Sequence, residues 1–241
     1  MRPLHILQLY LEEMNAYGDQ GNLLALSVRA RRRGLEPVVH HHSPGGELPD
    51  EVDIVLGGGG ADAAQQEVQH DVVRIGGRLR ALVDAGVPML AVCATYQLFG
   101  NGYRTGSGVE VEGIGIFDAD TAAPEHGDRL IGNVAITTDF AGTVYGFENH
   151  SGRTVLGAGQ DPFGVVVRGK GNNGADGLEG ARTHNAFGTY LHGPVLPSNP
   201  AFTDYLLRLA VRRSGGELEP VDLDDSLAEV VRRDAARRVR T

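Results

Sequence analysis

The strongest constraint on the fold is an alternation running through the first ninety residues. Short apolar runs at His5–Leu9, Val38–His40, Asp53–Leu56 and Met89–Val92 are separated by amphipathic stretches at Asn22–Arg33 and Gln65–Ala85. Strands that are apolar throughout belong in a sheet covered on both faces, and the helical stretches supply the crossovers that parallel pairing requires. The expectation is an α/β fold with a mainly parallel central sheet flanked by helices. Ligands gather at the carboxyl ends of such strands, which directs attention to the residues after Leu56 and Val92.

From Gly106 to Val167 the pattern changes. Val109–Val111, Ile131–Thr137, Thr143–Phe147 and Val165–Val167 are short strands broken by glycines and polar turns, so some antiparallel pairing is expected in the second half. Lys170–Gly174 reads as a turn, Phe187–Leu191 as the final strand and Pro200–Arg213 as a closing helix. Ser214-Gly215-Gly216 then breaks the chain, dividing a domain at residues 1–213 from a tail at 214–241. The tail passes from an acidic stretch, Glu217–Asp225, into a helix bearing Arg232, Arg233, Arg237, Arg238 and Arg240, a charge order that complements the helix dipole. It reads as a solvated helix, with docking to an acidic partner as the alternative, and as dispensable for the chemistry below.

Composition narrows the function. No apolar run approaches the roughly 18–20 residues of a membrane span, and Met1–Tyr10 lacks the features of a secretory signal, so a cytoplasmic protein is expected. With 31 acidic against 22 basic residues, the net charge of −9 opposes binding to nucleic acid. His40–His42 alternate between the faces of an extended segment; they read as surface residues, and no metal site is expected.

The lone cysteine, Cys93, cannot form an intrachain disulfide. It follows the Met89–Val92 strand and precedes a helix start at Ala94–Gly100, a strand–nucleophile–helix elbow. Ala91 and Ala94 are small, as such a turn demands, although Thr95 stands where a glycine is more usual. Taken alone, Cys93 also reads as a buried structural thiol. Gly57–Gly60 follows a neighbouring strand and could turn its amides towards a developing oxyanion; it lacks the Gly-Lys-Ser/Thr of a nucleotide-binding loop. His192 ends the last strand, where a base for a cysteine could stand on the same rim.

These segments resemble the class I, cysteine-dependent glutamine amidotransferases of the cobyric-acid-synthase branch, which have a flavodoxin-like fold, and in particular the glutaminase subunits of lipid II isoglutaminyl synthases. The resemblance extends to about Arg213 and rests on Tyr10–Asn22, Gly57–Gly60, Val92–Gln97, Gly146–Thr154 and Tyr190–Gly193. It implies that Cys93 attacks the side-chain amide of L-glutamine with His192 as base and then acid. It further implies that backbone N–H groups of Gly59 and Ala94 hold the oxyanion and that Arg129 grips the glutamine carboxylate. Gln97, Asn149 and His150 become pocket candidates. The acid that often stands two positions after the histidine is replaced by Pro194, so the base works as a dyad, lacks an acid in this chain, or receives one from a partner.

The resemblance also implies half of an enzyme. The partner would be a Mur-ligase-like synthase subunit of the MurT type, forming a heterodimer and supplying ATP and magnesium chemistry; no cofactor is expected in this chain. Through that partner, ammonia would convert the D-glutamate α-carboxylate of lipid II to D-isoglutamine during peptidoglycan synthesis, at the inner face of the membrane. A cobyrinate-type amidotransferase, another Cys/His hydrolase and a non-catalytic partner-binding subunit remain the alternatives.

Overall fold

Strands β1 (Arg2–Leu9), β2 (Leu35–His42), β3 (Ile54–Gly57) and β4 (Met89–Val92) alternate with helices α1 (Gln20–Arg32) and α2 (Asp62–Asp84) in a computed structural model that describes residues 2–239. Arg240 of the tail lies outside the described residues. Downstream come α3 (Ala94–Phe99), β5 (Gly102–Arg104), β6 (Glu110–Glu112), β7 (Ala119–Ala122), β8 (Leu130–Thr138), β9 (Gly142–His150) and β10 (Arg153–Leu156). The chain continues through β11 (Gly164–Arg168), β12 (Leu178–Glu179), β13 (Ala181–Thr183), β14 (Ala186–Thr189), α4 (Val195–Ser198), α5 (Pro200–Arg213) and α6 (Ser226–Arg238).

The central sheet has the order β13-β14-β4-β3-β1-β2, and its neighbours are parallel except for the β13–β14 edge. β3 and β4 are buried at every position, which is why they read as unbroken apolar runs. Strands β5 to β12 do not extend this sheet. They form two further four-stranded sheets, β10-β7-β5-β6 and β12-β11-β8-β9. β5, β7 and β10 escape a reading by hydrophobicity because each is short and polar on one face; β7 is Ala-Asp-Thr-Ala.

Register places the site. Gly57 pairs with Ala91 and Thr189 with Val92, so β3, β4 and β14 end side by side and release the glycine run, Cys93 and the segment leading to His192 at one rim. Among the described residues, no helix is long and apolar enough to cross a membrane.

One expectation is corrected. His42 is not a surface residue: it is 2% exposed and its Nε2 lies 2.7 Å from Asp71 Oδ2, because that carboxylate gathers the ends of β1 and β2 onto α2, with Tyr10 Oη donating at 2.7 Å. The tail helix is solvated as expected, with none of its residues buried, and it is tethered to the domain by polar contacts. Arg29 bridges Asp204 of α5 to Asp225, and Arg232 donates to Asn199 Oδ1 at 2.9 Å and to the Thr143 carbonyl at 3.0 Å.

Glu179, fully buried beneath the end of β14, accepts the Tyr190 N–H at 2.7 Å and the Thr189 hydroxyl at 2.9 Å. Burial outweighs these bonds and raises its pKa to about 8. A folded-state value above the unfolded one contributes stability below the unfolded pKa that is lost as pH rises through about 8. Glu179→Gln keeps an acceptor for Tyr190 and removes the titration. Its melting temperature is expected to fall less than that of wild type between pH 5 and 8.5, as measured by calorimetry.

Candidate active site

Cys93 occupies the sharp turn between β4 and α3 with φ 52° and ψ −102°, a region that L-residues avoid. The turn is held from both sides, with the Cys93 N–H donating to the Thr189 carbonyl at 2.7 Å and the Gln97 N–H to the Cys93 carbonyl at 3.0 Å. Thr95 has a use that glycine could not supply: its hydroxyl donates to the Gly58 carbonyl at 2.7 Å and ties the elbow to the glycine run. Strain of this kind costs about 1–3 kcal/mol and is tolerated where the surroundings over-determine it.

The convergence of the site is visible at Gly59. A Cβ there would lie 2.7 Å from His192 Cε1, 3.2 Å from Cys93 Cβ and 3.3 Å from Asp19 Oδ2, so only glycine fits between these three side chains. The Gly59 N–H, expected to face an oxyanion, donates instead to Asp19 Oδ2 at 2.7 Å. That is a correction with a simple cause: a carboxylate 3% exposed needs donors, and this amide is one within reach. Gly60 is the member of the run that lines the Cys93 cavity.

Asp19 also brings a carboxylate to His192, where Pro194 has none to offer. Its Oδ2 lies 3.7 Å from His192 Nδ1, close enough for strong attraction though beyond hydrogen-bond length. Asp19 holds the N-cap position of α1 without capping it, which leaves the carboxylate for the active site. Position 194 serves packing: a Cβ on Gly21 would come within 2.3 Å of Pro194 Cγ, so the proline presses directly on the start of α1. Burial disfavours the His192 imidazolium, but Cys93 and Asp19 outweigh it and raise the His192 pKa above its ordinary value. Tyr17 covers the imidazole with ring centroids 4.2 Å apart.

A cavity of about 400 Å³ opens at Cys93 and includes Gln97, Arg129, Asn149 and His150, so the structure brings the sequence-derived residues together. Arg129 donates through Nε to Asn149 Oδ1 and through Nη2 to the Asn149 carbonyl, both at 2.7 Å, which fixes the plane of the guanidinium. Gln97 is a wall: its Oε1 accepts from Gln65 Nε2 at 2.6 Å and its Nε2 donates to Tyr190 Oη at 3.0 Å. His150 Nδ1 lies 2.8 Å from the Gly152 carbonyl, an acceptor only, so that nitrogen carries the proton. The ring stacks on Tyr190 at 3.6 Å, and burial lowers its pKa to about 3, keeping it neutral. No group of side chains suited to a metal ion occurs among the described residues.

An elbow cysteine, a strand-end histidine and a glycine run on one parallel-sheet rim are the marks of a cysteine-dependent amidotransferase. The chain belongs to the CobB/CobQ-like glutamine amidotransferase family, whose model matches residues 5–200. It is 40% identical over 226 residues to the GatD subunit of the glutamine-hydrolyzing lipid II isoglutaminyl synthase of Staphylococcus aureus, spanning 93% of this chain and 91% of that one. It is 36% identical over 216 residues to the corresponding subunit of Streptococcus pneumoniae, spanning 89% and 83%. A solved glutamine amidotransferase shares the fold with a TM-score of 0.60 at 16% identity, over 85% of this chain and 98% of its own.

Sequence reasoning passed over Asp19 and Tyr17 as site residues. Both lie in the Tyr10–Asn22 segment that carries the resemblance, but an aspartate just before an amphipathic helix reads first as a cap.

The strain at Cys93 is testable. Glycine relieves a positive φ that alanine keeps, so Cys93→Gly is expected to be more stable than Cys93→Ala by about 1 kcal/mol in urea unfolding.

Proposed function

We propose that this chain is the glutamine-hydrolysing subunit of a lipid II isoglutaminyl synthase. The observation that carries the reading is the strained Cys93 beside His192 at the mouth of a cavity holding Arg129, in a chain 40% identical to a GatD subunit.

Glutamine enters with its α-carboxylate on Arg129, whose guanidinium Asn149 has oriented, while neutral His150 offers Nε2 as an acceptor to a substrate N–H. His192 takes the Cys93 proton, and the thiolate attacks the side-chain amide carbon. The oxyanion rests on the Ala94 N–H and the end of the glycine run, a contribution of about 2.7–4 kcal/mol per donor in comparable sites. His192 returns the proton to the departing nitrogen, the C–N bond breaks, and ammonia leaves a glutamyl thioester. Water, deprotonated by His192, then releases glutamate and restores the thiol. Asp19 orients the imidazole and favours its charged form, the part that an acid after the histidine would otherwise play.

The ammonia needs an acceptor activated elsewhere. A Mur-ligase-like subunit using ATP and magnesium would activate the D-glutamate α-carboxylate of lipid II, and the lipid-linked substrate would bring the pair to the inner face of the membrane.

The test is intact-mass analysis after treatment with an electrophilic glutamine analogue. A single adduct is expected on Cys93, suppressed by glutamine and absent in Cys93→Ser; an unlabelled wild type, alone and with the synthase subunit, would overturn the reading. Asp19→Asn should lower kcat by about 10²-fold, the lower end of what a positioned acid–base group contributes. His192 must be protonated to expel ammonia, and losing the carboxylate lowers its pKa. The alkaline limb of the Asp19→Asn pH profile should therefore shift to lower pH.

A further inference from the structure

The face behind His192 carries features that the hydrolysis of glutamine does not use. A groove of about 720 Å³ runs between α6 and the sheet face of β8 and β9, and His192 lies at its floor. The same residue therefore borders both the glutamine cavity's nucleophile and this second opening. The floor is rigid: Phe147 of β9 and His192 exchange both backbone hydrogen bonds, at 2.8 and 3.1 Å.

Apolar side chains are exposed on the helix wall of the groove and on the sheet face that flanks it. On the sheet, register places Ile131 opposite Asn149 and Asn133 opposite Phe147, so Ile131 stands where the glutamine pocket, lined by Asn149, gives way to the groove, lined by Asn133 and Phe147. Ile131, beside the groove, is 57% exposed. The helix repeats the pattern: no residue of α6 is buried, and Val230 and Val231 line the groove while remaining 54% and 43% exposed. The helix is held by Arg232, whose guanidinium also sits 5.2 Å from the Tyr145 ring centroid, and by the Arg29–Asp225 pair.

The charge of this face opposes that of the molecule. α6 carries Arg232, Arg233, Arg237 and Arg238 against Glu229 and Asp234, in a chain whose net charge is −9. Arginine and aromatic residues, here Arg233, Arg237, Tyr145 and Phe147 around a concavity, are the side chains enriched in protein interfaces, and the concave shape suits a folded partner better than a bilayer. Charge complementarity requires that partner to present acidic side chains here.

We infer that the α6–β8–β9 groove is the docking surface for an acidic, partly apolar face of the ATP-dependent synthase subunit, seated so that ammonia formed against His192 emerges beneath the bound partner. This rests on the glutaminase reading, and its test separates the two. The probe is the purified Mur-ligase-like synthase subunit of the same organism. The variants are Arg233→Glu/Arg237→Glu on the helix and Ile131→Glu on the sheet, with Val73→Glu on the exposed side of α2 as control.

Each groove variant is expected to bind the synthase at least 10-fold more weakly by calorimetry. The control binds normally, and Cys93 labelling by the glutamine analogue in the free chain is unchanged in all. Unaltered synthase affinity in both groove variants overturns the inference, as does a wild type that forms no complex. Self-association or binding to anionic vesicles that the groove variants abolish, with synthase binding intact, overturns it as well. Labelling of Cys93 in the wild type reports independently on whether the glutaminase reading stands.

Discussion

Parallel pairing of β4 between β3 and β14 is the constraint from which the site follows. Because Gly57 stands opposite Ala91 and Thr189 opposite Val92, three chain segments leave the sheet at the same height. The Cys93 turn is then held by its neighbours: β14 accepts its N–H, and Thr95 clamps the following turn to Gly58. A positive φ at a side-chain-bearing residue survives there because both flanking strands are fixed by burial. The thiol is presented at a rim, and the energy that holds it comes from the core beneath.

His192 meets a carboxylate by a different route from the one the linear motif suggests. Pro194 presses against Gly21 at the start of α1, and that close packing brings Asp19 from the same helix terminus to within 3.7 Å of His192. The carboxylate beside His192 thus comes from 173 residues earlier in the chain and not from two residues after it. Asp19 is shared with the Gly59 N–H, so the surroundings of the His192 ring and the conformation of the glycine run meet at a single buried carboxylate. The wall behind the cavity is a hydrogen-bonded assembly of Gln65, Gln97, Tyr190 and Thr154, which keeps the neutral His150 stacked in place. Such networks make a pocket of fixed shape.

Much of this architecture was legible in the linear pattern, for identifiable reasons. β3 and β4 announce themselves because strands buried on both faces must be apolar at every position, and the elbow is legible because the cysteine lies at the boundary of such a strand. β5, β7 and β10 leave no comparable mark, since short strands covered on one side need only two or three apolar residues. His42 was misread for a related reason: alternation predicts that neighbouring side chains diverge, but not that one of them will meet Asp71 from a helix 29 residues away.

The sequence by itself determined the parallel α/β core, the positions of Cys93 and His192 at strand ends, and the family, because these depend on local periodicity and contiguous motifs. Tertiary structure alone decided that Asp19 faces His192, that Gly59 gives its N–H to that carboxylate, and that α6 lies across β8 and β9 beside the site. Each of those depends on side chains distant in sequence meeting through packing, and no local pattern encodes which buried carboxylate, amide or helix will be neighbours once the sheet has formed.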